Sequence, residues 1–484
     1  MIHKKLYLIS MILVIFTSLV SQKVLGGQWY PGSLHQHTGY STLYGYDGNE
    51  DTDGDNCGSS TPPIEGHWEG GRTVAALSAN AENIGLRFLG FSDHSYCIDS
   101  NEFQTVKDHC SIADNDPDFT CLTGEELSTS DVENDGESLF WCDGNLGEAH
   151  IGVYGTNIFI AQTPIARHCP TAPTAQGGIN EINTQNGISI LNHPKPNNGG
   201  FLDFESMFDV SGQTGIEIWN DDFDNDDGDS TNSWVTLLLQ GNKVYAYGGT
   251  DSHEDVSTVN YNNAYIEGAL NSSNLKTALE NGRVTVSNNG NAYLEAKKPY
   301  NNTWTLQGST LKVCRDDTIT VKATYQAVSV PCRLEIIKGD MQNDLEFGYP
   351  YDVSGSGAKE IPNMISQDTY FRARCRSDGG ESRIYTNPIW VEIDTTDADS
   401  DGVCSTSDCN DGDSAMRPNT AETACSDGKD NDCDGLIDGS DPDCGGTGCT
   451  CGSWVNAGCG VGDCASSQMR QSCDCKTSFW RKGL

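Results

Sequence analysis

Basic side chains are scarce in this sequence. Its 484 residues carry 29 Lys and Arg against 69 Asp and Glu, a formal net charge of −40. Such a field repels nucleic acids and anionic membranes at long range, so no nucleic-acid partner is expected and a large polyanionic substrate is disfavoured. Long apolar runs are missing after the first 26 residues, which excludes a later helical membrane span. Core-forming residues are nearly missing from 396–445, which is built of Asp, Gly, Asn and Cys. A stretch of that kind needs staples or ions to fold.

What is present at the N-terminus reads as a secretory signal peptide over residues 1–26. Lys4 and Lys5 precede an apolar run from Leu6 to Val20, and Gly26-Gly27 marks a cleavage point. The run is shorter than the ~20 residues that a span needs. Twenty cysteines suit a secreted, oxidised chain. Six lie between Cys57 and Cys169, three between Cys314 and Cys375, and eleven from Cys404 onward. The first six suggest three disulfides in unknown pairing. The odd counts that follow leave room for one bridge between regions.

Residues 27–265 alternate short apolar runs with helical patterns. TVAALSANAENIG reads as a helix with Gly85 near its end, and LRFLGFSDH as a strand that ends in polar groups. GISILNHP, TGIEIWN and VYAYGGTDSH repeat this form. Functional groups at strand C-termini are the arrangement of α/β barrels, so the expectation is an irregular (β/α) barrel. Acidic or Gly-rich insertions near 44–66, 99–120, 128–148 and 221–232 read as surface loops at the mouth of the site. Residues 266–289 read as a connecting helix and strand. Alternating runs such as TITVKATY, CRLEIIKG and IWVEI predict a small β-sandwich over 290–394. Residues 395–445 form an Asp/Cys-rich region, and 446–484 a Cys-rich tail.

Six of the ten histidines fall at or just beyond strand ends, beside Asp, Asn or Glu. They are His35 and His37 in HQHT, His94 in SDH, His150 after Ala149, His193 in NHP and His253 in DSH. Glu126 lies in GEE, Glu217 ends another strand, and Asp251 opens DSH. Taken singly, each histidine reads as a surface or core residue; His67, His109 and His168 are left as such, in loops. Together they offer neutral imidazole and carboxylate, the common ligands of zinc, manganese and iron. In an HxH pair on extended backbone both rings point to one side. A carboxylate can bridge two ions about 3.5–4 Å apart.

This ordered set, with GFSDHS, GEELST, LNHPK, IEIWN and GGTDSH, resembles the PHP (polymerase and histidinol phosphatase) metallohydrolases, and within them the CehA/McbA-type branch. The resemblance runs from about residue 29 to 255 and continues more weakly through 275–290 and 385–391. It implies a (β/α)7-type barrel and two or three divalent transition metals. By position, His35, His37, Glu126 and Asp251 would hold a first ion. Glu126 would bridge to a second, completed by His150 and His193, with Glu125 the competing bridge. His94 and His253 would hold a third. That ion's usual third ligand falls here on Thr42 or Leu43, which cannot serve, so Asp47 or an insertion residue substitutes or the third site is weak or empty. Asp93 orients a ligand or water, with Asp251 and His253 also in the catalytic set. Lys195, Glu217 and Trp219 line the pocket. The expected activity is hydrolysis of a small-molecule ester, a phosphoester first, by a metal-bridging hydroxide. A carboxylic ester, carbamate or amide is the alternative. A degenerate barrel in a secreted adhesion protein is the rival from another class, set against the presence of every ligand of the first two ions.

In the acidic region, Asp397, Asp399 and Asp401 form one DxDxDG loop, and Asp430, Asp432 and Asp434, with Asp438 beyond, form a second. Alternating oxygens with a turn glycine suit calcium. The surrounding phrase resembles MopE-type metal-binding repeats. DTDGDN at 51–56 reads as a further calcium loop. The last segment has a faint likeness to a thrombospondin type-one repeat that ends before completion, which implies surface or matrix contact.

Overall fold

The computed structural model describes residues 27–41, 73–95, 98, 100–129, 149–160, 174–194, 210–253, 256, 261–299, 303–380, 383–418, 420–444 and three short strands beyond. The signal peptide, the 51–56 loop, Asp47, His67, His168, Lys195, the insertions at 44–66 and 130–148 and most of the Cys-rich tail lie outside the described residues.

The chain begins with β1 (Gln28–Gln36), α1 (Val74–Asn83), β2 (Phe88–Phe91), β3 (Asp93–His94), α2 (Ser100–Ala113), β4 (Thr120–Leu122) and β5 (Gly124–Thr129). It continues through β6 (Ala149–Tyr154), α3 (Ala175–Thr184), β7 (Ile188–Leu191), β8 (Gly215–Asn220), α4 (Asn225–Leu239) and β9 (Tyr245–Gly249). Then come β10 (Tyr261–Ile266), α5 (Ser272–Glu280), β11 (Val284–Ser287), β12 (Asn291–Lys297), β13 (Thr305–Leu306) and β14 (Thr310–Val313). The last long strands are β15 (Thr318–Asp340), β16 (Leu345–Met364), β17 (Thr369–Arg376), β18 (Arg383–Thr386) and β19 (Ile389–Ile393).

The (β/α)7 barrel expected from the sequence is overturned. The chain is strand-rich, with 40% strand, 19% helix and five helices among the described residues. Its strands form large mixed sheets. One has 13 strands, ten of them in the order β13-β12-β15-β17-β18-β11-β10-β1-β2-β4 with β14, β16 and β19 off that path; the other has six, in the order β3-β5-β6-β7-β8-β9. Barrels of the β/α type keep all strands parallel. Here β6 runs antiparallel to both β5 and β7, and β10 runs antiparallel to β1 and β11. Strand ends can be read from hydropathy, whereas the direction of pairing cannot. Nor do the alternating segments of 290–394 stand apart as a sandwich. They join the larger sheet through the β18–β11 pairing.

The chain passes from the large sheet to the small one twice, each time across one residue. Ser92 separates β2 from β3, and Thr123 separates β4 from β5. These crossings set Asp93, His94 and Glu126 side by side, in the register Asp93↔Glu125 and His94↔Glu126.

Two acidic insertions are not open loops. Residues 100–113 form α2, because Phe103, Val106 and Cys110 recur at helical spacing and all are buried. His109 therefore sits on a helix. Residues 225–239 form α4, in which Trp234, Leu237 and Leu238 make the buried stripe. Asp227 accepts from the Asn220 and Asp224 amides at 2.8 and 2.9 Å, and burial pushes its carboxyl up to about 7. The helix of TVAALSANAENIG forms as α1, capped where the Thr73 hydroxyl accepts from Ala76 N.

Two compact units emerge. One takes in the described residues up to Leu311 together with Thr318–Asn363 and Asp368–Val391. Its core includes Trp234, Ile216, Ile218, Tyr370 and Trp390. The other takes in Lys312–Asp317, Met364–Gln367 and the chain from Glu392. That unit has few buried apolar side chains and is stapled by Cys314–Cys404, Cys409–Cys433 and Cys425–Cys444. Cys314–Cys404 joins the two regions whose cysteine counts are odd. Cys110–Cys121 and Cys332–Cys375 complete five disulfides among the described residues, which fits an extracellular protein. None of the described helices is long and apolar enough to cross a membrane.

Candidate metal centre

The six motif histidines, Glu126 and Asp251 converge on one place. His35 and His37 come from the end of β1, His94 from β3, Glu126 from β5 and His150 from β6. His193 follows β7, and Asp251 and His253 follow β9. Glu126 is central. Its Oε1 lies 2.8 Å from His35 Nε2, 3.2 Å from His193 Nε2 and 3.3 Å from His150 Nδ1. Its Oε2 lies 2.7 Å from His94 Nδ1. Asp251 Oδ1 lies 3.1 Å from His37 Nε2 and 3.3 Å from His35 Nε2. Of the adjacent glutamates, Glu126 faces the rings, and Glu125 accepts from Ile160 N at 2.6 Å. Alternation along β5 sends the two to opposite faces.

Hydrogen bonds around the rim fix which ring nitrogens carry protons. A carboxylate only accepts, so the His35 Nδ1 contact with Glu217 Oε1 at 3.0 Å places a proton on Nδ1. The Nε2 of His35 faces Glu126 and Asp251, where either a proton or a cation can stand between ring and carboxylates. The Ser41 hydroxyl donates to Asp93 at 2.8 Å, so His37 Nδ1, 3.2 Å away, donates to Ser41. His37 Nε2 is thereby turned to the cluster as a lone pair. His253 Nδ1 lies 3.2 Å from the Asp251 carbonyl, which again frees Nε2. Metal-binding histidines are oriented by outer contacts of this kind.

His94 meets two demands that a neutral ring cannot serve together. Its Nδ1 is 2.7 Å from Glu126 Oε2, and its Nε2 is 3.1 Å from His253 Nε2. One ring proton cannot serve both contacts, and the other sets two lone pairs against each other. A second ring proton or a bound cation removes the conflict. Charges follow the same logic. Burial alone would raise Glu126, but His150 and His35 hold its carboxyl well below the usual range. Burial lowers His35, yet Glu126, Glu217 and Asp251 raise it well above 6.5. Burial, His253 and His94 push His37 well below that value. Three groups of side chains could each hold an ion: His35, His37, Glu126 and Asp251; His94, Glu126 and His150; and His37, His94 and His253.

Backbone strain gathers here. His35, His193 and Asp251 have φ of 59°, 27° and 45°, a region that non-glycine residues enter at a cost of ~1–3 kcal/mol. The pairing of β1 with β2 shifts register between Ser33 and Gln36. His35 and His37 therefore share a side through a bulge, and not through the plain extended alternation expected of HxH.

Asp93 does not face the ions' place. It accepts from Thr38 N at 2.7 Å, from the Thr38 hydroxyl and from Ser41, and so acts on His37 through Ser41. Burial raises its pKa, which these bonds oppose. Glu217 anchors His35 Nδ1 and accepts from His193 N at 2.7 Å. Trp219 does not line the cluster. A register shift between Glu217 and Trp219 re-aims it into the core, where its Nε1 donates to the Asp221 carbonyl. Sequence reasoning gave no role to Asn192, which donates to Glu126 Oε1 at 2.9 Å, or to Tyr154, whose hydroxyl accepts from His35 N. For Asn192 the signal lay in its place beside His193 in NHP; for Tyr154 the sequence held none.

Gly249 is a close-approach position. A Cβ there would fall on the Glu217 carboxylate and lie 2.8 Å from His35 Cβ. Gly249→Ala is expected to displace Glu217, lower metal affinity by ~10–100-fold and cost ~1–3 kcal/mol of stability. Metal titration and chemical denaturation of that variant check both effects.

In the second unit the acidic loops adopt one conformation twice. Asp401 N donates to Asp397 Oδ1 and Asp399 Oδ1, each at 3.2 Å, and Gly402 N donates to Asp397 Oδ2 at 3.0 Å. Asp434 N donates to Asp430 Oδ1 at 3.1 Å and Asp432 Oδ1 at 3.2 Å, and Gly435 N donates to Asp430 Oδ2 at 3.0 Å. Gly402 and Gly435 have φ of 93° and 95°. Asp397, Asp399 and Asp401 are close enough to hold one ion. Asp438 is turned elsewhere and accepts from the Asp427 and Gly428 amides.

Comparison with known proteins reaches this second unit. The copper-binding MopE family model, described as "Putative metal-binding motif", matches residues 408–439. No curated protein matches the chain. The chain therefore carries a MopE-like metal-binding motif near its C-terminus, a disulfide-stapled second unit, and a separate cluster of histidines and carboxylates able to hold metal.

Proposed function

We propose that this chain is a secreted metal-dependent hydrolase acting on small phosphoric esters. The observation that carries the reading is the convergence of six imidazoles on Glu126 and Asp251, with three groups of these side chains each close enough to hold one ion. Two or three divalent ions would be held there, with Glu126 shared between them. Imidazole and carboxylate suit zinc, manganese or iron. Such ions polarise a substrate oxygen and make water acidic enough to act as a nucleophile near neutral pH. The chain's own residues do the rest. Glu217 and Ser41 hold His35 and His37 in the ligating tautomer, Asn192 steadies Glu126, and Asp251 and His253, at the less buried edge, move the proton. Calcium is the ion proposed for the acidic loops of the second unit.

The test is turnover by the full secreted chain of p-nitrophenyl phosphate, bis-p-nitrophenyl phosphate and p-nitrophenyl acetate, beside a His35→Ala variant. Phosphoester turnover lost in the variant is the expected result. Turnover of the acetate alone would favour a carboxylic ester, carbamate or amide hydrolase. A His35→Ala chain with full metal and full activity would remove the cluster from catalysis.

A further inference from the structure

The two acidic loops continue past the residues that their motifs name, and both end in the same way. Asp408 follows Asp397 at the twelfth position of the first loop, and Asp441 follows Asp430 at the twelfth position of the second. Oxygen ligands at positions 1, 3 and 5, a glycine at 6, a backbone carbonyl at 7 and an acidic residue at 12 make a complete calcium loop. Positions 6 and 7 are Gly402 and Val403 in the first loop, and Gly435 and Leu436 in the second. Val403 N donates to Asp401 and Leu436 N to Asp434, both at 2.8 Å, so the register matches to that point.

A separate observation points to an ion. Asp441 is only 1% exposed, and its Oδ2 has no hydrogen-bond partner among the described residues. Its other oxygen accepts from Asp443 N at 2.6 Å. A buried carboxylate oxygen left without a donor is costly unless a cation meets it. Asp441 closes the turn that follows the second loop, its N–H donating to the Asp438 carbonyl at 2.9 Å. In the first loop, Asp399, Asp401 and Asp408 each keep a buried Oδ2 without a hydrogen-bond partner among the described residues.

We propose that residues 397–408 and 430–441 are two twelve-residue calcium sites, closed by Asp408 and Asp441. This rests on the calcium reading of the second unit and adds the closing ligands and the site count. The first site lies almost wholly outside the 408–439 match. The donor set separates calcium from copper. No histidine occurs beyond His253, and Cys404, Cys409, Cys425, Cys433 and Cys444 are all in disulfides, so hard oxygens are left as the ligands. The Cys409–Cys433 bond ties the residue after the first site's closing ligand to the interior of the second. The two ions therefore order one stapled element.

Calcium titration of the full chain after chelation tests this, with Asp408→Asn, Asp441→Asn and Asp443→Asn as variants. Mass-spectrometric mapping of Cys409–Cys433 and Cys425–Cys444 verifies that each variant has folded. The wild type and Asp443→Asn are expected to bind two calcium ions in this unit, in the ~10⁻⁴–10⁻³ M class of extracellular modules. Asp408→Asn and Asp441→Asn are each expected to weaken one site by about 100-fold and keep the other. Correctly paired variants that retain both sites at full affinity would overturn the closing role and leave the calcium reading standing. A wild-type chain that binds copper but not calcium here would overturn both.

Discussion

Replacing Glu126 by glutamine is expected to give a folded chain stripped of its transition metals. The change keeps size and shape, so no cavity opens in β5. It puts an amide where four imidazole nitrogens lie within 3.3 Å of the carboxylate oxygens. An amide carries no charge, bridges ions poorly and would oppose an N–H to the rings. Losing an outer-shell partner costs a metal site ~10–100-fold in affinity, and loss of the shared ligand is expected to exceed that. If the cluster is the catalytic centre, turnover falls by at least ~10³-fold, above the ~10²–10³ of a single lost electrostatic donor. Elemental analysis and circular dichroism of the same sample separate metal loss from unfolding. A folded Glu126→Gln chain with its full complement of metal would contradict the assignment.

The second large effect lies away from the cluster. Arg372 is buried at 1% exposure and paired with Glu346 through Nε–Oε1 at 2.7 Å and Nη2–Oε2 at 2.6 Å. Tyr370 donates to the same carboxylate at 2.8 Å, and the guanidinium sits 5.3 Å from the Trp234 ring. Its Nη1 has no hydrogen-bond partner among the described residues, so Glu346 is the chief compensation for a buried charge. Glu346→Gln is expected to destabilise the unit by ~3–5 kcal/mol, the usual cost of breaking a buried pair from one side. Replacing both partners, Glu346→Leu with Arg372→Met, is expected to recover most of the loss. Urea denaturation followed by tryptophan fluorescence measures both.

The same pair makes a pH prediction. Burial alone would raise Glu346, but Arg372 outweighs it and holds the carboxyl below 4.5. The folded pKa is thus below the unfolded one. The stabilisation is complete above about pH 4.5 and is lost as the pH falls through the folded value. Glu346→Gln lacks that group, so its stability should fall less steeply in acid than that of the wild type. Equal acid sensitivity of the two proteins would show that the pair is not linked to folding.

The candidate centre is far more legible in the sequence than the fold that holds it. Ligand-type residues at the ends of apolar runs stand out because strand ends are marked by hydropathy. Hence His94, Glu126, His150, His193 and Asp251 can be gathered from the amino-acid order alone. Strand direction leaves no such mark, which is why antiparallel β6 and β10 overturn the barrel. The acidic insertions mislead for a related reason. Net polarity over 99–120 and 221–232 hides the helical spacing of Phe103, Val106 and Cys110 and of Trp234, Leu237 and Leu238. Trp219 is turned away by a register shift that hydropathy does not show. Asp441 escapes notice because its distance from the DxDxDG motif becomes visible only when two loops superpose.

The central claim is that the histidine cluster holds catalytic transition metal. Elemental analysis of the full secreted chain, with phosphoester turnover measured on the same preparation before and after chelation, tests it most directly. The account predicts two or three transition-metal ions per chain beside the calcium of the second unit, with turnover lost on chelation and restored by zinc, manganese or iron. A folded, correctly disulfide-bonded chain that takes up no transition metal would contradict it.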